Sequence, residues 1–249
     1  LLRAGPAAEA RAAKRALAAL ARPVGTFDAA RYFRDTTGLG FYNVGTDRVR
    51  AMARAIADSH SGDWTVRDAL VFADALITDK HLEVKGLGIE VLARFRRQFT
   101  PALLPAWKRW LARNHSANWA TTDAICGLLL GPLIVVHPEL APTVSRWAGH
   151  RNMWVRRAAI VGLIPLARRG GALDILYRTA RTLHGDQEDL IQKAVGWALR
   201  EAGKSDMDRL ERYLRENGPR ISRTTVRYAI ERFPSRQRRE LLLATRSDP

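Results

Sequence analysis

Apolar residues recur at three- to four-residue steps along most of the chain, which is the spacing of one buried face on an α-helix. In "VRDALVFADALI", residues 66–77, they fall at Val66, Leu70, Phe72, Ala73 and Leu76. The segments "HLEVKGLGIEVLARFRRQF" (81–99) and "WVRRAAIVGLIPLARR" (154–169) carry the same pattern, and each predicts a helix. Period-two alternation bounded by Asn-Gly or Asp-Gly turns, the signature of hairpins, is missing. One stretch reads differently. "GLGFYNVGT", 38–46, is a glycine-rich connector with aromatics, expected to form a tight loop or a short hairpin.

Breakers divide the helical pattern at regular intervals. "TP" at 100–101, "HPEL" at 137–140, "GHRN" at 149–152, "RRGG" at 168–171, "HGDQ" at 184–187 and "NGPR" at 217–220 separate predicted helices of about 10 to 18 residues. Trp119, Trp154 and Trp197 begin or sit within successive helix pairs, 35 and 43 residues apart. That separation approaches the roughly 40–47-residue period of HEAT-like units. The expected fold is all-α: a HEAT-like helical-repeat solenoid whose concave, basic face cradles an extended partner. No low-complexity linker interrupts the chain, so one domain over 1–249 is expected. Gly86 and Gly88, inside a predicted helix, suggest close helix packing.

Charge narrows the partner. The 249 residues include 41 Lys and Arg against 25 Asp and Glu, a formal net charge of +16. So basic a domain usually meets a polyanion, most often nucleic acid. Six of the cations are lysine and the other 35 arginine, a bias that a GC-rich genome also produces. A single cysteine, Cys126, excludes an intramolecular disulfide and a cysteine-rich zinc module, and is expected to pack as a small hydrophobe. The six histidines (60, 81, 115, 137, 150, 184) lack ligand spacing, so no metal site is expected. No apolar run approaches the roughly 18 uninterrupted residues of a membrane span. The first twenty residues are charged throughout, which argues against a signal peptide. The bacterial cytosol is the expected compartment.

Three segments offer chemistry. In "NWATTDAICGLLLG", 118–131, Trp119 and Asp123 stand at i and i+4 and share one helix face. A plain alternative is a helix N-terminus capped by Ser116 or Asn118, with Asp123 held by an arginine. In "NMWVRRAAIVGL", Trp154 and Arg157 are i and i+3, while Arg156 points about 100° away. The alternative there is one solvated arginine and one snorkelling along the core edge. In "LIQKAVGWALREA", Lys193, Trp197 and Arg200 form a stripe at i, i+4 and i+7. Cations flanking an indole suit phosphate and sugar; a cation–π ladder on the surface is the alternative.

Taken together, W-x-x-x-D in "NWATTD", "WVRRAAI" and "IQKAVGWALRE" resemble the AlkD-type family of DNA alkylation-repair glycosylases, built from HEAT-like repeats. The likeness runs from about Tyr32 to the last helices, with "HPEL" in place after the Asp123 helix. It implies a cofactor-independent, monofunctional glycosylase that excises N3- and N7-alkylated purines from duplex DNA as a monomer, with no membrane partner. By the same resemblance Asp123 is the catalytic carboxylate, and Trp119 and Trp197 pack around the sugar of the damaged nucleoside. Arg157 matches the arginine of that cleft, and Tyr32 an aromatic from the N-terminal helices. Thr46 and Arg50 match backbone-contacting positions; Arg156, Lys193 and Arg200 are expected to contact DNA as well. Some relatives bind branched or damaged DNA without excising a base, so a non-catalytic DNA binder on the same scaffold stays open. A protein–protein scaffold is a third reading, which the charge and the indole–cation stripes disfavour.

Overall fold

Several helix starts are set by short polar side chains that satisfy the first free backbone N–H groups. Thr65 and Asp68 form a reciprocal capping box before Val66–Ile77. Asn118, Asn152, Asp206 and Ser222 each cap the helix that follows them. The computed structural model describes residues 5–25, 28–33 and 38–246. The class is all-α, with 72% helix. An isolated bridge between Gly40 and His81 is the one β pairing among the described residues.

The chain divides into two compact units, Leu1–Leu129 and Leu130–Pro249. The first contains α1 (Pro6–Ala19), α2 (Thr46–Ser59), α3 (Val66–Ile77), α4 (Leu82–Arg94), α5 (Leu104–Ala112) and α6 (Trp119–Ala124). Helices here stack on their next-but-one neighbours: α1 on α3, α2 on α4, α4 on α6. Helix α3 also lies along α4, so the unit has two rows. Gly88 makes that approach possible, because a Cβ there would sit 3.2 Å from the Ala73 Cα. Gly86 is different: a Cβ would meet only Val49, at 4.0 Å.

The second unit contains α7 (Gly131–Val136), α8 (Ala141–Ser145), α9 (Met153–Val161), α10 (Ile164–Ala167), α11 (Leu173–Thr182), α12 (Asp189–Ala202), α13 (Met207–Asn217), α14 (Arg223–Ala229) and α15 (Ser235–Ala244). Stacking repeats: α9 on α12 and α12 on α14 form one row, α8 on α11 and α13 on α15 another. Each helix resting on one two or three further along is what a helical-repeat fold produces. The cores are aromatic and aliphatic, with Trp107, Trp110 and Phe72 fully buried in the first unit and Leu176, Leu199 and Val226 in the second.

Every breaker named above falls between α-helices or at the end of one. Three details differ from the sequence pattern. Residues 154–169 form two helices, α9 and α10, rather than one. Pro165 has no N–H with which to continue the ladder to the Val161 carbonyl, so the chain turns at Gly162 and Leu163. The glycine-rich connector is a loop, one of the two forms expected of it, but it pairs with the turn before α4 rather than with itself. The Gly40 N–H donates to the Lys80 carbonyl (2.8 Å) and the Leu82 N–H to the Gly40 carbonyl (3.0 Å).

Third, Trp119–Val136 is an 18-residue helical run of mean hydropathy 1.7, long and apolar enough by composition to cross a membrane. It is not an uninterrupted apolar span. Thr121, Thr122 and Asp123 break it, and half of it is buried against other helices. Its middle, Ile125–Leu130, is a π-turn. Pro132 follows, without the N–H that a regular helix would return to the Leu128 carbonyl. Cys126 lies in that turn, fully buried, as the small hydrophobe expected of it.

Candidate nucleic-acid interface

The start of α6 is pinned from below. Lys85 on α4 is buried, and its Nζ donates to the carbonyls of Ile77 (2.8 Å) and His115 (2.6 Å). Burial lowers its pKa to about 8. The turn it holds contains Asn114 and Ala117 at φ of 59° and 50°. Asn118, wholly buried, then accepts from the Thr121 N–H (2.8 Å) and donates to the Ser116 carbonyl (2.7 Å). Of the two caps the sequence offered, the structure uses Asn118.

Trp119 is therefore held at a fixed first position of α6, with half-buried Asp123 one turn further on the same face. One face of the indole stacks on Phe33, centroids 5.3 Å apart and planes 10° from parallel. Its Nε1 donates to the Tyr32 carbonyl at 3.2 Å. The Tyr32 ring itself is 62% exposed. Beside α6 opens a cleft of about 710 Å³, lined by Ala120 and Ala124, by Phe41 of the connector, and by Thr46, Arg50 and Glu90 of α2 and α4. Arg50 Nε donates to Glu90 at 3.1 Å. The first unit thus brings Tyr32, Thr46, Arg50, Trp119 and Asp123 to the surroundings of one short helix. Phe33 and Lys85 escaped the sequence reading. Phe33 left a signal in the doublet Tyr32-Phe33, whereas Lys85 looked like any other helical cation.

In the second unit the remaining candidates sit on α9 and α12. Neither arginine of α9 is solvated. Arg157 is buried, and its Nη1 donates to the Leu190 carbonyl just inside α12. Arg156 donates through Nε to Asp186 (2.6 Å) and through Nη1 to the carbonyls of His150 (3.2 Å) and Arg151 (2.9 Å). On α12, Lys193 pairs with Asp189 at 2.6 Å, and that hydrogen bond and charge raise its pKa. Arg200 Nη1 pairs with Glu231. Trp197 lies half-buried between them along the stripe.

These pairs differ in what they leave available. Lys193–Asp189 is a surface pair with a solvent-facing carboxylate, worth about 0–1 kcal/mol, so a phosphate replaces it cheaply. Arg200 is more enclosed, since it pairs with exposed Glu231 but its Nε also lies 3.7 Å from buried Glu201. Asp186 is nearly buried, and Arg156 is committed to it and to two carbonyls. Gly196, beside Trp197, lets α12 touch α14: a Cβ would lie 2.6 Å from the Thr225 carbonyl oxygen. The same contact brings up Tyr228, an exposed aromatic that the sequence reading passed over.

A family model described as DNA alkylation repair enzyme matches residues 13–233. The chain belongs to the DNA alkylation repair enzyme family. Solved structures agree on the fold of this DNA alkylation repair family member. A protein described as a predicted DNA alkylation repair enzyme, from Enterococcus faecalis, superposes with a TM-score of 0.72 at 20% identity, over 83% of this chain and 95% of that one. The smu.31 protein of Streptococcus mutans superposes with a TM-score of 0.53 at 14% identity, over 80% and 92%. No curated protein matches the chain. Membership implies an enzyme of DNA repair with DNA as its partner. Within that fold, α6 presents the half-buried carboxylate of Asp123 one turn from the Trp119 indole. Among the described residues, no cluster of three or more His, Cys, Asp or Glu is placed to hold a metal ion.

Proposed function

We propose that the protein is a monofunctional DNA glycosylase that hydrolyses the N-glycosidic bond of N3- and N7-alkylated purines in duplex DNA, acting as a monomer. The observation that carries this reading is the pairing of Asp123 with Trp119 on one face of α6, a helix whose first turn is locked by Asn118 and Lys85.

Alkylation at N3 or N7 makes the purine cationic and weakens its bond to C1′. As that bond breaks, its electron pair neutralises the base, and the sugar takes on oxocarbenium character. A fixed carboxylate stabilises that charge, and accepts a proton from the water whose oxygen adds to C1′. The indole of Trp119, one turn from that carboxylate, favours the same cation by about 0.5–2 kcal/mol. Arg157 orders the N-terminus of α12 and so the stripe that carries Trp197. Thr46, Arg50, Lys193 and Arg200 grip phosphates in this reading, the last three by leaving Glu90, Asp189 and Glu231. Tyr32 and Tyr228 add exposed aromatic surface.

The test is release of 7-methylguanine and 3-methyladenine from methylated duplex DNA, with Asp123→Asn run in parallel. Wild type is expected to release base, and the variant to lose at least about a hundredfold in rate while keeping its DNA affinity. One observation favours the other reading, a non-catalytic binder: Phe33 already occupies one face of Trp119. Tight binding of branched DNA with no release from any alkylated substrate would establish it.

A further inference from the structure

A second basic feature lies on the other row of the second unit. Helices α11 and α13 both line a groove of about 360 Å³ there, with Arg178 and Arg181 from the first and Arg209 and Arg212 from the second. Each helix supplies two arginines three residues apart, hence on one face. The floor is aromatic: the rings of Tyr177 and Tyr213 pack 4.7 Å apart. Arg209 lies over Tyr177 at 4.7 Å, and Arg181 over Tyr213 at 5.7 Å. Both rings are buried, so they support guanidinium groups rather than offer a face to a ligand.

Two carboxylates, Asp174 and Glu216, also line the groove, against four guanidinium groups. Asp174 is taken by Arg209. Among the described residues, Arg178, Arg181 and Arg212 form no ion pair, and all three are exposed. The local field is positive enough that Arg181, with Arg220, helps lower the pKa of neighbouring His184, after burial. None of these arginines is on α9 or α12. Helices α11 and α13 also pack on α12, and the Lys193–Trp197–Arg200 stripe stays partly exposed.

We propose that the α11–α13 groove is a second, sequence-independent contact for the phosphate backbone of duplex DNA, which lets one molecule hold a second duplex segment while the α9–α12 row engages the first. Planar guanidinium forks match phosphate oxygens in pairs, and a duplex presents a dense row of them. The groove has no exposed aromatic or aliphatic anchor of the kind that carries protein–protein interfaces, which favours DNA over an acidic peptide. With no free ring for a base to stack on, contact is to backbone alone. The inference rests on DNA as the partner of the first row, but not on base excision.

The experiment is a bridging assay on the full chain with undamaged DNA. A short biotinylated duplex is immobilised at low salt and saturated with protein, and capture of a second, fluorescent duplex is measured. Wild type is expected to capture it. The Arg178→Glu/Arg212→Glu double variant is expected to lose about tenfold or more of that capture, with first-duplex affinity within about twofold of wild type. Both positions are exposed, so a thermal melt like that of wild type shows that the variant is folded. Equal capture by the variant overturns the proposal. So does an equal loss of first-duplex affinity, which would place these arginines in a single shared interface. Displacement of the second duplex by polyglutamate at a lower charge concentration than by unlabelled DNA makes the groove an acidic-peptide site instead. Failure of wild type to hold any duplex overturns DNA as the partner altogether, whereas a first duplex held without a second overturns the groove alone.

Discussion

At Gly196 two local rules collide, and their magnitudes decide between them. Helix propensity favours alanine over glycine by about 1 kcal/mol. A Cβ at this position, however, would lie 2.5 Å from the Tyr228 Cβ and 2.6 Å from a backbone oxygen of α14. Overpacking against backbone costs about 1–3 kcal/mol, so Gly196→Ala is expected to lower the urea midpoint. A raised midpoint would show that α12 and α14 separate freely. Asp123 and Trp119 are residue-scale features the sequence displays openly, because i and i+4 are close on any helix. Phe33 on Trp119 is not, since the indole's hydrogen bond to the adjacent Tyr32 already spans 87 residues.

Elements were the most legible scale. Helical periodicity is local, and the predicted segment 66–77 coincides with α3. Boundaries failed where a backbone detail outweighed the side-chain pattern: Pro165 splits α9 from α10, and a π-turn sits inside 119–136. The cap on α6 is the most sensitive of these details. Removing a capping side chain costs about 0.5–2 kcal/mol, and Asn118 is buried with three hydrogen bonds through its side chain. Asn118→Ala is therefore expected to reach the upper end of that range in chemical denaturation. Because its loss frees the first turn of α6, base release is expected to fall by more than DNA affinity does. Parallel kinetics and fluorescence anisotropy separate the two, and equal losses would show that the cap supports the fold alone.

Across the whole molecule, charge and burial set the response to solvent. With a net charge of +16, DNA affinity is expected to fall steeply and linearly in log–log form as salt rises, from counterion release. A flat response would remove the phosphate contacts. Stability carries its own pH signature. Burial, then Arg181 and Arg220, lowers the pKa of His184 to about 4, below the ordinary 6.5. Its Nε2 lies 2.6 Å from the Tyr213 hydroxyl. Between those values the unfolded chain binds a proton that the folded one refuses, so this stability is complete above pH 6.5 and drains away toward pH 4. Urea unfolding at pH 7.5 and 5 should show a larger drop for wild type than for His184→Gln.

What the sequence determined by itself is whatever depends on near neighbours and on sums: the helices, their breaks, the basic character, the family likeness and the Trp119–Asp123 pairing. These follow from a 3.6-residue period and from counting. Only the tertiary structure decided which cations are spent. Arg156 reaches Asp186 across 30 residues, and Arg157 the Leu190 carbonyl across 33. The groove of α11 and α13 draws its arginines from two helices about 30 residues apart in the chain, brought together only by the fold. A cation's partner is set by which helix lies opposite it, and no local pattern encodes that.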